Sequence, residues 1–126
     1  MVKQVIVIRK DLKMRRGKEI AQGAHASMSF LSHMVRERLL DGERVELSVV
    51  QKEWIEGKFT KVCVRVDDEE SLMAVAKKAK EVGVDCHVIT DAGLTEFGGV
   101  PTKTCLAVGP DESSLIDQVT GGLSLY

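Results

Sequence analysis

Strand-like and helix-like hydrophobic periods alternate along this chain, and that alternation constrains its fold more than any other feature. Residues 4–9 carry an almost continuous apolar run (Val5, Ile6, Val7, Ile8), the pattern of a strand covered on both faces. A basic loop, residues 10–16, follows and ends at Gly17. From Lys18 a long helix is predicted, because Ile20, Ala24, Met28, Leu31 and Val35 recur at helical spacing and should form its buried stripe. Gly42 is expected to close it. Residues 45–56, with Val45, Leu47, Val50 and Trp54, read as a second short helix ended by Gly57. Residues 61–66 are β-branched and alternating, as a strand requires. Asp67 stands where a helix N-cap belongs, with Glu70 three residues on. Leu72, Val75, Ala76, Ala79 and Val82 give that helix its apolar face before Gly83 ends it. Residues 86–90 and 104–109 read as the third and fourth strands, and Pro110-Asp111 as the start of a last helix reaching about Thr120.

This order predicts a three-layer α/β/α sandwich with a mixed, mostly parallel four-stranded sheet. Residues 91–103 have no helical period, so one antiparallel pairing is expected between the last two strands. With 126 residues, 44% hydrophobic and 29% charged, and no linker or repeat, the chain reads as a single domain, residues 1–126. The apolar run at 5–8 is too short for a signal segment or a membrane span. Cys63, Cys86 and Cys105 show no CxxC spacing and fit small hydrophobes in a reducing, cytoplasmic setting.

The net charge of −1 conceals an asymmetry. Residues 1–18 hold Lys3, Arg9, Lys10, Lys13, Arg15, Arg16 and Lys18 against Asp11 alone, a net of +6, which leaves −7 for residues 19–126. The basic segment runs into a helix N-terminus, where unpaired N–H groups already favour an anion. It points to a localised anion-binding face, with nucleic acid as the leading ligand. A P-loop is excluded, since Leu12 and Glu19 stand where it needs Gly and Ser or Thr. Zinc and covalent catalysis lack their motifs. His25 and His33 are eight apart, Cys86 and His87 would point to opposite faces of a strand, and no Gly-x-Ser-x-Gly occurs.

On the first helix Lys18, Gln22, His25, Ser29 and Ser32 share a second stripe, about 120° from the apolar one. It reads as either a solvated flank or a polar site. Asp91, just past the third strand and before Ala92-Gly93, is either an Asx-turn residue or the partner of Lys18 across a cleft at the strand ends.

Residues 4–14, Gly17-Lys18, Ala21-Gln22 and Ala24-His25-Ala26 together resemble the second class of peptidyl-tRNA hydrolases, found in archaea and eukaryotes. Residues 61–67, Asp91-Ala92-Gly93 with Thr95-Glu96, residues 102–110 and residues 115–121 extend the resemblance in order; only residues 28–60 lack a clear counterpart. The resemblance implies a compact α/β enzyme, usually a homodimer, with no metal or organic cofactor. Its reaction is hydrolysis of the ester between a peptide and the 3′-terminal ribose of tRNA. It also implies catalytic roles for Lys18, Asp91, Thr95 and Thr104, with Thr102 competing for the last, and substrate contact at Gln22 with His25 on the same stripe. Arg9, Lys10, Lys13, Arg15 and Arg16 would bind acceptor-stem phosphates, which give affinity without base readout.

Two departures stand out. Leu94 occupies a place where the family usually has Arg, and residues 97–101 replace its usual Pro-Pro-Gly. With no activated nucleophile in view, direct attack by water is expected. Asp91 would orient or partly deprotonate that water, and Lys18 would stabilise developing negative charge. Two non-catalytic alternatives share the fold: an RNA-binding module, and a protein-interaction adaptor using exposed apolar surface around Trp54.

Overall fold

The computed structural model describes all 126 residues. In chain order the elements are β1 (Val2–Arg9), a 3-10 turn (Lys10–Leu12), α1 (Arg16–Leu39), α2 (Val49–Glu56), β2 (Lys61–Val66), α3 (Glu69–Val82), β3 (Cys86–Asp91), β4 (Thr102–Glu112) and α4 (Ser113–Thr120). The sheet order is β2-β1-β4-β3. β1 and β2 pair in parallel, and β4 runs against both of its neighbours. Three strands therefore point one way. Because β4 lies between β1 and β3, it makes two antiparallel pairings where the sequence predicted one. No helix is long and apolar enough to cross a membrane.

The two-residue period of the strands sorts the core into two layers. Val5, Val7, Val64, Val66, Leu106 and Val108 meet Leu72, Val75, Ala79 and Ile116 of α3 and α4 on one face. Ile8, Cys105 and Ala107 meet Ala26 of α1 and Met14 on the other. The sandwich is three-layered, as its alternating pattern predicts.

Helix α1 departs from its expected orientation. Its buried residues are Gln22, Ala26, Ser29 and Phe30, whereas Ile20 and Met28 of the predicted apolar stripe are 67% and 60% exposed. Ala24 is exposed as well, and Leu31 and Val35 are only half-buried. Small side chains explain the choice, because Ala26 and Ser29 let the helix axis come close to the sheet, which Met and Ile would prevent. Buried Gln4 reinforces the contact. Its side chain donates to the Ser27 carbonyl at 3.0 Å and accepts from the Ser27 hydroxyl at 2.6 Å.

Element boundaries shift for local reasons. Helix α1 begins at Arg16, with Gly17 inside it. The second helix starts at Val49 instead of residue 45, because Ser48 and Gln51 form a reciprocal capping box. Asp68, not Asp67, caps α3: its carboxylate accepts from the Ser71 N–H, while Asp67 turns toward Arg65 and Glu70 has no capping role. Pro110 starts no helix. β4 runs through it to Glu112, pairing with Lys3 and Val2 of β1, and that ladder overrides the local proline signal. Trp54 is 2% exposed, its indole donating to the Thr60 carbonyl at 2.8 Å and its ring packed on Phe30 and Phe59. Trp54 is therefore a core residue, while Val49, Ile55 and Phe59 near it stay exposed.

Two substitutions test the layer assignment in urea denaturation. Leu72→Ala, at a fully buried site, should cost about 2–5 kcal/mol. Ala26→Leu should cost about 1–3 kcal/mol despite its added hydrophobicity, since it overpacks the α1–sheet contact. An Ala26→Leu protein as stable as wild type would mean that α1 presents another side to the sheet.

Candidate active site

Four of the side chains expected to act come from three elements brought together at one end of the sheet. Lys18 and Gln22 lie one turn apart on the sheet-facing side of α1, Asp91 ends β3, and Thr104 lies near the start of β4. Thr104 reaches this side through an irregularity. Ile89 pairs with Cys105 and Thr90 with Lys103, so Thr104 is the extra residue of a β-bulge. Strict alternation would aim Thr104 at the α3 layer. The bulge re-aims it to α1, where its hydroxyl donates to Gln22 Oε1 at 2.5 Å beside the Cys105 thiol, which donates to the Gln22 carbonyl at 3.3 Å.

From Gln22 the network continues outward. Gln22 Nε2 donates to Asp91 Oδ1 at 3.3 Å, and Lys18 Nζ donates to the same oxygen at 2.9 Å. Lys18 Nζ also donates to Thr95 Oγ1 at 2.9 Å and sits 5.6 Å from the centroid of the Phe97 ring. Asp91 Oδ2 accepts the Gly93 N–H at 2.8 Å. Gly93 is required there: its φ is +81°, and a Cβ would fall 2.2 Å from the Val100 carbonyl oxygen. The Asx turn and the Lys18 partnership, alternatives for Asp91 on sequence, are both present.

The Lys18 ammonium, followed by the Gly93 N–H, holds the Asp91 carboxyl below the usual carboxylate range. Both side chains remain open to solvent, at 16% and 15% exposure, so a substrate can reach the pair. Burial pushes the Cys105 thiol up to about 11, which keeps it protonated and rules it out as a nucleophile at neutral pH.

Not all expected residues converge. Thr95, Thr104 and Gln22 join the network, whereas Thr102 turns its hydroxyl to the Val100 carbonyl. His25 is exposed and lines a groove between α1 and β3 next to the site. Lys10, Lys13, Arg15 and Arg16 are exposed, with Arg15 3.8 Å from Glu96. Arg9 departs from its expected role. Its guanidinium is turned inward, bonded to both carboxylate oxygens of Asp11 at 3.1 and 2.8 Å and to the Lys103 carbonyl at 3.0 Å. It ties the basic turn to β4 instead of presenting a free cation.

Sequence reasoning did not single out two participants. Phe97 packs on the α1-side core layer beside Lys18, and the Glu96 carboxylate accepts from the Arg15 N–H at 3.4 Å. Both sit on the 91–103 connection, where an aromatic and an acid between glycines were the available signal.

The whole chain has relatives consistent with this geometry. Residues 2–126 match the family model described as Peptidyl-tRNA hydrolase PTH2. A peptidyl-tRNA hydrolase of Methanocaldococcus jannaschii is 39% identical over 124 residues, 98% of this chain and 99% of that one. One from Nanoarchaeum equitans is 41% identical over 126 residues, the full length of both. The human protein named Peptidyl-tRNA hydrolase 2, mitochondrial, is 37% identical over 124 residues, 98% of this chain and 64% of the human one. A match running from the first strand to the last residue takes in every element that builds the Lys18–Asp91 site, and the chain belongs to the peptidyl-tRNA hydrolase PTH2 family.

Proposed function

We propose that this chain hydrolyses the ester between a peptide and the 3′-terminal ribose of tRNA by direct attack of a water that Asp91 orients. The observation that carries this reading is the convergence of Lys18, Gln22, Asp91, Thr95 and Thr104 in one solvent-reachable hydrogen-bond network. Asp91 already accepts three donors, from Lys18, Gln22 and Gly93. A carboxylate so engaged is a weak base, so its part is to position the water more than to strip it of a proton. Lys18 spends two N–H groups on Asp91 and Thr95. Its third is free for the carbonyl oxygen, where negative charge develops in the tetrahedral intermediate. Thr104 fixes the Gln22 amide so that its NH₂ faces Asp91, and Thr95 keeps a hydroxyl hydrogen for water or substrate. As the intermediate collapses, the bond to the ribose oxygen breaks and the water's proton passes to that oxygen.

Lys10, Lys13, Arg15 and Arg16 receive the tRNA phosphates, which gives sequence-tolerant, salt-sensitive binding. The protein works in the cytoplasm, a setting in which Cys63, Cys86 and Cys105 stay unpaired. It acts as a homodimer through the face that α1 leaves uncovered. There Ile20, Ala24 and Met28 border an apolar trough of about 610 Å³ floored by Ile6 and Ile8. Exposed apolar side chains gathered on one face in this way suit a second copy as their cover.

Hydrolysis of N-acetylaminoacyl-tRNA tests the chemistry. Lys18→Ala should lower kcat/KM about 10²–10³-fold as a lost charge-stabilising donor, and Asp91→Ala about 10²–10⁴-fold as a lost water-orienting group. Wild-type rates in both variants would sink the assignment.

The pH profile supplies an independent check. Because Lys18 lowers the Asp91 pKa, the acid limb of kcat/KM should lie below the ordinary carboxylate value of about 3.9. It should move upward in Lys18→Met. By the same linkage, the stability that Asp91 contributes is present above the unfolded-state pKa and is lost as pH falls through the folded one. Acid limbs at the same pH in both proteins would remove Lys18 as the partner that sets Asp91.

Sedimentation velocity tests the dimer. Wild type should sediment as a dimer and Met28→Asp as a folded monomer; an unchanged distribution would place the interface elsewhere.

A further inference from the structure

Beyond the ester-cleaving pair, the gap between α1 and β3 forms a second polar groove of about 380 Å³. Ser29, Ser32, His33 and Arg36 line it from α1, and His87 and Thr90 from β3. It leads away from the site along α1, in the direction opposite to the basic turn. From His25 to Arg36 the helix rises about 16 Å, the length of about five residues of extended chain. β3 is the last strand of the sheet and pairs only with β4, so the main-chain groups of its outer edge are unclaimed. Its C-terminal residue is Asp91 itself.

We propose that this groove and the open edge of β3 hold the peptide of the substrate. The inference rests on the hydrolase reading above. An ester seated at Lys18 and Asp91 has two arms. One arm is polyanionic and belongs on the basic turn; the other is a peptide of arbitrary sequence. The charge of the groove fits the second. Arg36 is its one permanent cation, while His33 is bonded to Glu37 and His87 to Asp85, each at 3.1 Å. Two carboxylates against one guanidinium disfavour a run of phosphates and suit a neutral main chain. The histidines and carboxylates form no metal-ligand set. A peptide whose carbonyl carbon lies at Asp91 runs parallel to β3, back toward Cys86. Its main chain pairs with the strand edge and alternate side chains enter the groove. Main-chain pairing reads no sequence, as an enzyme accepting any peptide requires.

The test compares N-acetylaminoacyl-tRNA, which stops short of the groove, with tetrapeptidyl-tRNA carrying an N-methyl group at each amide in turn. Wild type should hydrolyse the tetrapeptidyl substrate with higher kcat/KM. N-methylation should lower it about two- to tenfold for each hydrogen bond removed, at alternate positions only. Ser32→Trp should abolish the length advantage and leave N-acetylaminoacyl-tRNA hydrolysis unchanged. If that variant does not fold, the N-methyl series on wild type decides alone. Equal rates for short and long substrates with no alternation would overturn the proposal. So would a Ser32→Trp protein that loses both substrates equally with a shallower salt dependence, since the groove would then hold RNA. Failure of wild type on every substrate would instead remove the hydrolase reading, and this inference with it.

Discussion

Helix α1 meets the sheet through Gln22, Ala26, Ser29 and Phe30, and the rotation of the helix about its own axis fixes nearly everything at the site. One turn before Gln22, the same face delivers Lys18 to the end of β3. Side chains recur at about 100° per residue, so a rotation of one residue would carry Lys18 away from Asp91 and Gln22 away from Thr104. Two anchors prevent that rotation. Buried Gln4 of β1 holds Ser27 by its carbonyl and its hydroxyl, and Phe30 packs edge-on against Trp54 of α2. A buried amide and an aromatic pair hold the helix, and the polar network reports where it is held.

The other half of the site depends on an interruption in the sheet. β4 lies between β1 and β3 and is the most buried strand, with residues 104–110 all inaccessible. In a regular ladder Thr104 would belong to the α3 layer; its bulge brings it beside Cys105 on the α1 side. The connection before it, residues 92–101, is closed by the contact of Gly93 with the Val100 carbonyl. That closure sets Thr95 and Phe97 around the Lys18 ammonium. Leu94 projects into solvent from the same segment, 84% exposed. Leu94 takes no part in the hydrogen bonds that join Lys18, Gln22, Asp91, Thr95 and Thr104.

Much of this was legible in the sequence, and the failures share a cause. Strand and helix periods gave the layers correctly, because burial on both faces of β1 and β4 leaves continuous apolar runs. Lys18 and Asp91 could be paired because a helix start and a strand end are places where a sandwich of this kind gathers polar groups, whereas Gln22 stood out from its stripe only through the family resemblance. The orientation of α1 was not legible. Its apolar stripe of Ile20 and Met28 is more regular than the small-residue stripe that is buried, and periodicity counts hydrophobic atoms without knowing how closely two backbones approach. A stripe left exposed on one chain is also what a second copy would cover. Similarly, Arg9 looked like one more cation until Asp11 was placed within reach of its guanidinium, and the Thr102–Thr104 ambiguity needed the bulge, which leaves no mark in composition.

The charge division follows from the same arrangement. An enzyme for peptidyl-tRNA has to hold a polyanion on one side of a scissile ester and a chemically arbitrary peptide on the other. A uniformly basic surface would retain tRNA after cleavage, since each phosphate contact adds a counterion-release term that persists in the product. Here the cations cluster at one end of α1, and Arg9 is neutralised by Asp11 within that cluster. Away from it the chain is net negative, including the carboxylates of Asp85 and Glu37 at the far end of the α1–β3 groove. Lys18 sits at the boundary between the two regions, where Asp91 balances its charge. That pairing sets Lys18 apart from Lys10, Lys13, Arg15 and Arg16, which stay exposed on the basic turn and the first residues of α1.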